Sequence, residues 1–499
     1  MLSLLIFLPL APAVVLVAGR RIPDRVARWI WLVASLLELG LAGAMWIDYA
    51  GHYDGTELAY ETDFDWIPAA GVGYHIGVDG LSLPLVVLTA VVFASCAVYA
   101  MREQRRPRQL AALFLALETV SIGLFAALDL IVFFLFFDLS LVGMYFVIAG
   151  WGHRATATRS AFKFFLYTFL GSLALLVGFI GLYVAADPHT FDMIELTEQL
   201  PLADTGLGGG LVLLAVGVGL AIKTPTFPFH TWLPPAHTDA PAIGSAVLAA
   251  VMLKMGTYGF VRIAMPMLPD SWRQWAWAIV AIGVVSVLYG ALVALAQSNF
   301  KRMIAYTSVN HMGYILLALG AAGLVADSDV EARAVAVTGA VTQMVSHGLI
   351  TAALFLLAGV LLSHGGTYEM DHYGGLARTT PRFAGLTAIA AFASLGLPGF
   401  SGFIAEFQIF AGSLGPATWA TALALLGILI TAGLFLWALH RIFLGPPKDE
   451  LSHIADTTVT QTAAIAPLLA LSVLIGVYPR VLLDVVDPAS RMVVELVAR

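Results

Sequence analysis

Long apolar runs separated by short polar loops set the pattern of this chain. A membrane-crossing helix needs about 20 apolar residues. By that measure the sequence predicts about 14 spans, at 2–19, 28–48, 77–100, 109–127, 129–150, 160–185, 207–232, 241–265, 274–297, 302–324, 333–362, 382–412, 417–443 and 461–483. The loops alternate in charge. Arg20, Arg21 and Arg25 follow span 1, Arg102, Arg105, Arg106 and Arg108 follow span 3, and Arg154, Arg159 and Lys163 follow span 5. Lys301 and Arg302 follow span 9, Arg378 and Arg382 span 11, and Arg441 and Lys448 span 13. The opposite loops are acidic: Asp48, Asp54, Glu57, Glu61, Asp63 and Asp65 after span 2, Asp187, Asp192, Glu195, Glu198 and Asp204 after span 6, and Asp327, Asp329 and Glu331 after span 10. Basic residues gather in cytoplasmic loops, so the pattern predicts an even span count with both termini outside. Leu2 to Gly19 has no basic residue ahead of it and no polar cleavage region behind it, and reads as a retained span rather than a signal peptide.

Composition agrees with the pattern. The 499 residues are 60% hydrophobic and 11% charged, with mean hydropathy +0.89, where soluble domains carry about 25% charge. The net charge of −7 says little about partners. The single cysteine, Cys96, excludes an internal disulfide, and an iron–sulfur cluster or zinc–thiolate site built from this chain alone. No phosphate-loop, dinucleotide or zinc-protease motif occurs. No long soluble domain interrupts the spans, so chemistry in the aqueous phase belongs to other chains.

The polar residues inside the spans change the picture most. A charge at bilayer depth costs roughly 2.5 kcal/mol or more. In AIKTPTFPFHTWLPPAH, Lys223 closes an apolar run and is followed by Pro225 and Pro228, which break the helical hydrogen-bond ladder. Lys254 lies near the middle of the next run, and Asp138 lies in IVFFLFFDLSLVGMYFVIAGW. Asp138 reads either as a protonated carboxyl gluing helices together or as the partner of a buried lysine. A buried Lys–Asp pair keeps both groups charged, and breaking it lets the lysine release a proton. His311 and His347 occur in consecutive spans beside Thr307, Ser308, Thr342 and Ser346. Imidazole titrates near neutrality and passes a proton between its nitrogens, so these positions predict a wet polar row. In LGLPGFSGFIAEFQIF, Pro398, Gly399 and Gly402 weaken the helix and Glu406 follows. Weaker candidates are Glu118, placed by this reading near Asp138, and His230 and His237 flanking the WLPP turn. Asp79 and Arg262, near span ends, read as anchors.

The two interrupted segments fall in spans 7 and 12. An odd offset of five gives them opposite orientations, the pattern of an inverted repeat. The expected organisation is 1–108 for helices 1–3, 109–265 for a first five-helix repeat, 266–443 for a second, and 444–499 for helix 14 and a tail.

AIKTPTFPFHTWLPPAHTDAP, MLKMGTYGFVRIAMP, IAYTSVNHMGYI and LPGFSGFIAEF resemble the antiporter-like membrane subunits of respiratory complex I. FFLFFDLSLVGMYFVIAGWGH, with Glu rather than Lys at 406, resembles the chain 4 type among them. The resemblance covers spans 3 to 13. It implies an all-α polytopic fold of 14 helices, with inverted repeats and discontinuous helices 7 and 12. It implies a proton path in the membrane arm of a bacterial NADH–quinone oxidoreductase in the inner membrane. NADH, FMN, iron–sulfur clusters and quinone would be held by partner subunits, with no cofactor or metal on this chain and neighbouring antiporter-like subunits beside it. By position it makes Asp138 the helix-5 carboxylate paired with Lys223, Lys254 the continuation of the axis, His311 and His347 the connecting row, and Glu406 the terminal group. The family's usual residues are Glu at 138 and Pro at 143, where this chain has Asp138 and Gly143. The shorter acid predicts a water-bridged rather than direct contact with Lys223. Rival readings are a multisubunit sodium/proton antiporter, a membrane-bound hydrogenase subunit and a structural scaffold. Sodium dependence without NADH oxidation would mark the first.

Overall fold

The structure is a computed structural model that describes residues 1–203, 205–325, 329–446, 448 and 454–499. Asp204 and Asp327 of the acidic loops lie outside these residues. Ten helices among them are long and apolar enough to cross a membrane, and two shorter apolar helices, Leu2–Ala18 and Leu207–Lys223, add to them. Phe300–Ala322 is 23 residues long but is not among the ten. Its Thr307, Ser308, Asn310 and His311 lower its hydropathy, and all four are buried inside the protein.

Burial sorts the helices into a centre and a rim. Ala242–Met267 is buried on every side, and Val330–Gly365 nearly so. The rim helix Thr418–Phe443 exposes Leu423, Leu426, Leu429 and Leu436, as a lipid-facing stripe requires. Small residues let helices approach closely. A Cβ at Gly219 would stand 2.6 Å from the carbonyl oxygen of Gly171, so the Leu207–Lys223 and Ala157–Ala185 helices can touch there only through glycine.

Both predicted interruptions are present. The first separates Leu207–Lys223 from the short helix Leu233–Asp239, and the second separates Pro381–Ser394 from Ser401–Leu414. The freed backbone groups of the first break find partners. Trp232 Nε1 donates to the Ile222 carbonyl at 2.9 Å, and Phe227 N–H donates to Ser286 Oγ at 2.9 Å. An unpaired buried group costs about 1–3 kcal/mol, so these contacts hold the break open in one shape.

Several elements depart from the sequence reading. Residues 59–78 contain four short strands in two two-stranded sheets, so span 3 begins as a helix only at Leu83. The last predicted span, 461–483, ends at Val477, and a separate helix, Arg480–Ala498, follows. That helix buries Leu482, Val485, Val486, Val493 and Val497 on one face. Its other face is polar, with Arg491 held by Asp487 and Glu331. Alternation of charge with apolar residues disguised it as a tail. Asp79 and Arg262 are anchors for each other: the Arg262 guanidinium meets the Asp79 carboxylate at 2.6 Å, and both are largely buried.

Outside the spans, His75 stands between Asp192 and Glu61, 2.9 Å from the latter. Burial pulls the His75 pKa down, but its bond to Asp192 and the surrounding carboxylates outweigh that and lift it to about 9. The Asp192 carboxyl is held below its usual range: burial opposes this, and the His75 bond overrides it. Asp192 also caps the Met193–Gln199 helix. This clasp ties the strand region to the end of the bundle that carries the acidic loops.

Candidate functional site

Lys223 is the last residue of its half-helix, where the carbonyl end of the helix dipole favours a cation. Its ammonium is buried, donates to Ser140 Oγ at 2.8 Å and lies 4.5 Å from the centre of the Phe137 ring. Among the described residues, no ion pair joins Lys223 to Asp138. Asp138 is half-buried, and its Oδ1 has no hydrogen-bond partner. Ser140, two residues along the same helix, holds the Lys223 ammonium in place of Asp138.

Lys254 lies between two π-helical turns, Leu248–Met252 and Phe260–Ala264. Such turns widen the helix and often occur at functional positions. The Lys254 ammonium donates to the Ala249 carbonyl in the first of them at 2.6 Å, and lies 2.5 Å from His347 Nδ1. The His347 and His311 rings are 5.3 Å apart, and His347 Nε2 has no partner. Gln343 Nε2 donates to His311 Nδ1 at 2.9 Å, and Glu406 Oε1 stands 3.7 Å from the same nitrogen.

Glu406 is buried in the second turn of Ser401–Leu414, just past the second break. Gly396, with φ +76°, brings the broken backbone so near that a Cβ there would lie on the Glu406 carboxylate. Only glycine satisfies both demands. A cavity of about 10 Å³ lined by His311, Gln343, Ser346, His347 and Glu406 separates these groups. That is close to the volume one water needs. Ser401, the first residue after the break, is 2.8 Å from both Ser346 and Ser472, which fixes the break against two neighbouring helices.

Four predicted residues therefore form one buried row: Lys254, His347, His311 and Glu406. Lys223, Ser140 and Asp138 form a second group. The helices carrying the two lysines meet where Thr224 packs against Gly256, and Thr224 Oγ1 is buried without a partner. Among the described residues, no hydrogen bond links Lys223 to Lys254. Of the predicted breakers, Pro225 and Pro228 lie in the first gap, and Pro398 and Gly399 lie in the second.

Two weaker candidates are placed elsewhere. Glu118 does not join Asp138; its Oε2 accepts from Ser35 Oγ at 2.7 Å. Ser35 and Glu38 share one helix face, so Glu118 faces Glu38 instead, and both Glu38 oxygens lack partners. Leu117 packs against Gly143 and turns Glu118 away from the Asp138 face. His230 sits among Phe227, Tyr289 and Tyr306 rather than in the row.

Sequence reasoning missed Glu38, Gln343 and the role of Ser140, and ranked His237 only among the weaker candidates. His237 lies in a buried short helix, stacks on Phe355 at 4.5 Å, and has no partner on either ring nitrogen. Lys301 and Lys254 are the charges it feels, which places it on the basic-loop side of the row. Gln343 was detectable as the residue one turn before His347. Among the described residues, no group of three or more His, Cys, Asp or Glu side chains could hold a metal.

Ionisable groups running through a helical membrane bundle, between two interrupted helices, define a protein of the antiporter-like class. The family model of the NADH:quinone oxidoreductase/Mrp antiporter transmembrane region matches residues 127–431, and the chain belongs to that family. It is 38% identical to NADH-quinone oxidoreductase subunit M of Rhodobacter capsulatus, across 99% of this chain and 96% of that one. It is 37% identical to F(420)H(2) dehydrogenase subunit M of Methanosarcina mazei, across 99% and 98%. Among solved structures it is similar to a chain of respiratory complex I from Thermus thermophilus with bound NADH, with TM-score 0.89, 29% identity and full coverage of both chains. It shares its fold with a chain of the Mrp complex from Dietzia sp. DQ12-45-1b, with TM-score 0.84, 20% identity and coverage of 100% and 99%.

Proposed function

We propose that this chain is the proton-translocating, chain 4 type (subunit M) membrane-arm subunit of a proton-pumping NADH–quinone oxidoreductase. The observation that carries this reading is the buried row from Lys254 through His347 and His311 to Glu406, beside a broken helix. The row consists of acid–base groups within proton-transfer reach of one another or of one water. A proton enters from the cytoplasmic side past His237 and loads Lys254. Lys223 and Asp138 switch between coupled and separated states, with Ser140 holding the lysine in the state seen here. The proton leaves by way of Glu406. Electrostatic coupling to neighbouring antiporter-like subunits drives the switch, and the redox groups (NADH, FMN, iron–sulfur clusters and quinone) belong to partner chains.

Nitrogen groups favour protons over sodium as the cargo. Lys254, His347 and His311 supply nitrogen donors, whereas hard cations take oxygen ligands. The relatives support the membrane half of the proposal more strongly than the electron donor, since a subunit of an F(420)H(2) dehydrogenase is as similar as NADH-linked ones.

The breaks five spans apart support two inverted five-helix units, 109–265 and 266–443, flanked by 1–108 and 444–499. The basic and acidic loops support a location in the bacterial inner membrane with both termini on the periplasmic side. The test is Lys223→Ala in the assembled complex, reconstituted in vesicles. Loss of coupled pumping with assembly intact is expected, and full pumping would remove Lys223 from the path.

A further inference from the structure

The basic-loop end of the bundle holds a pocket that the proton row does not use. It has a volume of about 650 Å³ and is lined by Arg154, Arg159, Lys163 and Arg302, with Asp239 as its one carboxylate. Four cations thus face one acid. That acid is already engaged: Asp239 Oδ2 accepts from Thr156 Oγ1 at 2.8 Å and from Ser160 Oγ at 2.7 Å. Lys163 donates to the Thr231 carbonyl at 2.7 Å. Among the described residues, the guanidinium groups of Arg154, Arg159 and Arg302 make no hydrogen bond or ion pair. Glu369, the nearby acid that feels Arg154 and Arg302, is held by Ser298 and Asn299 at 2.8 Å each.

The rest of the pocket is apolar. Phe162 and Leu166 line it and are exposed. They begin a stripe at helical spacing, Phe162, Leu166, Leu170, Leu173 and Val177, all exposed on the Ala157–Ala185 helix. A cationic mouth thus opens directly onto an apolar track along a lipid-facing helix.

We propose that this pocket binds an anionic phospholipid. The phosphodiester sits among Arg154, Arg159 and Arg302, and one acyl chain lies along the Phe162–Val177 stripe. Guanidinium forks suit phosphate oxygens, and basic pockets on the cytoplasmic side of helix bundles suit anionic headgroups. The position matters for the row. Asp239 is two residues from His237, and uncompensated cations there oppose the approach of a proton; a bound phosphate removes that barrier. The binding claim itself is independent of the proposed function.

The test uses the intact membrane complex, delipidated and re-exposed to phosphatidylglycerol, to phosphatidylcholine or to inorganic phosphate. An Arg154→Gln/Arg302→Gln pair should lower retained phosphatidylglycerol at this subunit about 25-fold, because each basic residue contributes about a fivefold factor. Phosphatidylcholine retention should not change, and inorganic phosphate should not displace the lipid. A photoreactive residue replacing Phe162 should capture lipid. Unchanged phosphatidylglycerol retention, displacement by inorganic phosphate, or capture of a neighbouring protein in place of lipid would each overturn the proposal.

Discussion

At the first break a lysine ends a half-helix, holds a serine and makes no ion pair with its carboxylate. At the second break a glutamate follows the gap and stands 3.7 Å from a histidine that adjoins the rest of the row. The two regions share a plan, a helix interrupted at proline beside one ionisable side chain, with glycine added at the second break. They differ in what the break is pinned to. Ser401 is fixed by two hydroxyls, and Gly396 packs on the glutamate itself, so the second break is rigid around its acid. The first break is pinned through its backbone, by Trp232 to the Ile222 carbonyl next to Lys223 and by Ser286 to the Phe227 N–H, and neither contact touches the Lys223 ammonium. Lys223 is thereby free to exchange Ser140 for Asp138. On the proposed function, the second break is the fixed relay and the first is the switch.

The largest expected effect comes from cutting the row at Lys254, where the proposed path loads its proton. Lys254→Met should lower coupled proton transport about 100-fold or more, the scale of losing a positioned acid–base group. Proton flux in vesicles, compared with electron transfer in the same preparation, reads it. The two histidines come next. His311→Phe and His347→Phe should each cost about 10-fold or more, and the double variant should be little worse than either, because steps in series fail together. Additive losses would mean two separate routes.

The switch end should respond differently. Asp138→Glu adds one methylene and should bring the acid into contact with Lys223. Transport should stay within about fivefold of the parent, since one partly exposed charge contact is worth about 1 kcal/mol or less. Ser140→Ala should change transport more than Asp138→Glu does. The reverse order would make Asp138, not Ser140, the resting partner. Glu118→Gln should leave coupling unchanged, because Glu118 faces Ser35 and Glu38 rather than the row; lost coupling would draw that pair into the path.

The smallest effect concerns stability at the acidic-loop end. His75 has its pKa raised from 6.5 to about 9. Its contribution is therefore fully present below the unfolded value near 6.5, declines as pH rises, and is gone above about 9. Thermal unfolding of the complex at pH 6 to 10, with and without His75→Asn, reads this, the difference between the two narrowing as the pH climbs.

Much of this was legible in the chain because the bilayer restricts what a sequence can do. Apolar length marks spans, and a lysine or glutamate inside one has few explanations, so Lys254, His311, His347 and Glu406 stood out one by one, and the family resemblance supplied their order along one path. Proline beside Lys223 and Pro398 beside Gly399 marked both breaks. The missing parts depended on rotation of helices about their axes, which periodicity does not fix in helices buried on every side. Glu118 was assigned to the wrong neighbour because its run is apolar all round. Ser140 escaped notice because a serine in a helix ordinarily bonds its own backbone. The last helix, Arg480–Ala498, was hidden because an amphipathic surface helix does not meet the length-and-apolarity rule for a span.

The central claim is that protons driven by redox chemistry elsewhere cross the membrane through the buried row that ends at Glu406. Glu406→Gln keeps the shape and removes the acid. In the assembled, reconstituted complex, the protons moved per electron pair should fall while NADH oxidation continues and the complex stays intact. An unchanged proton yield in that variant would contradict the account.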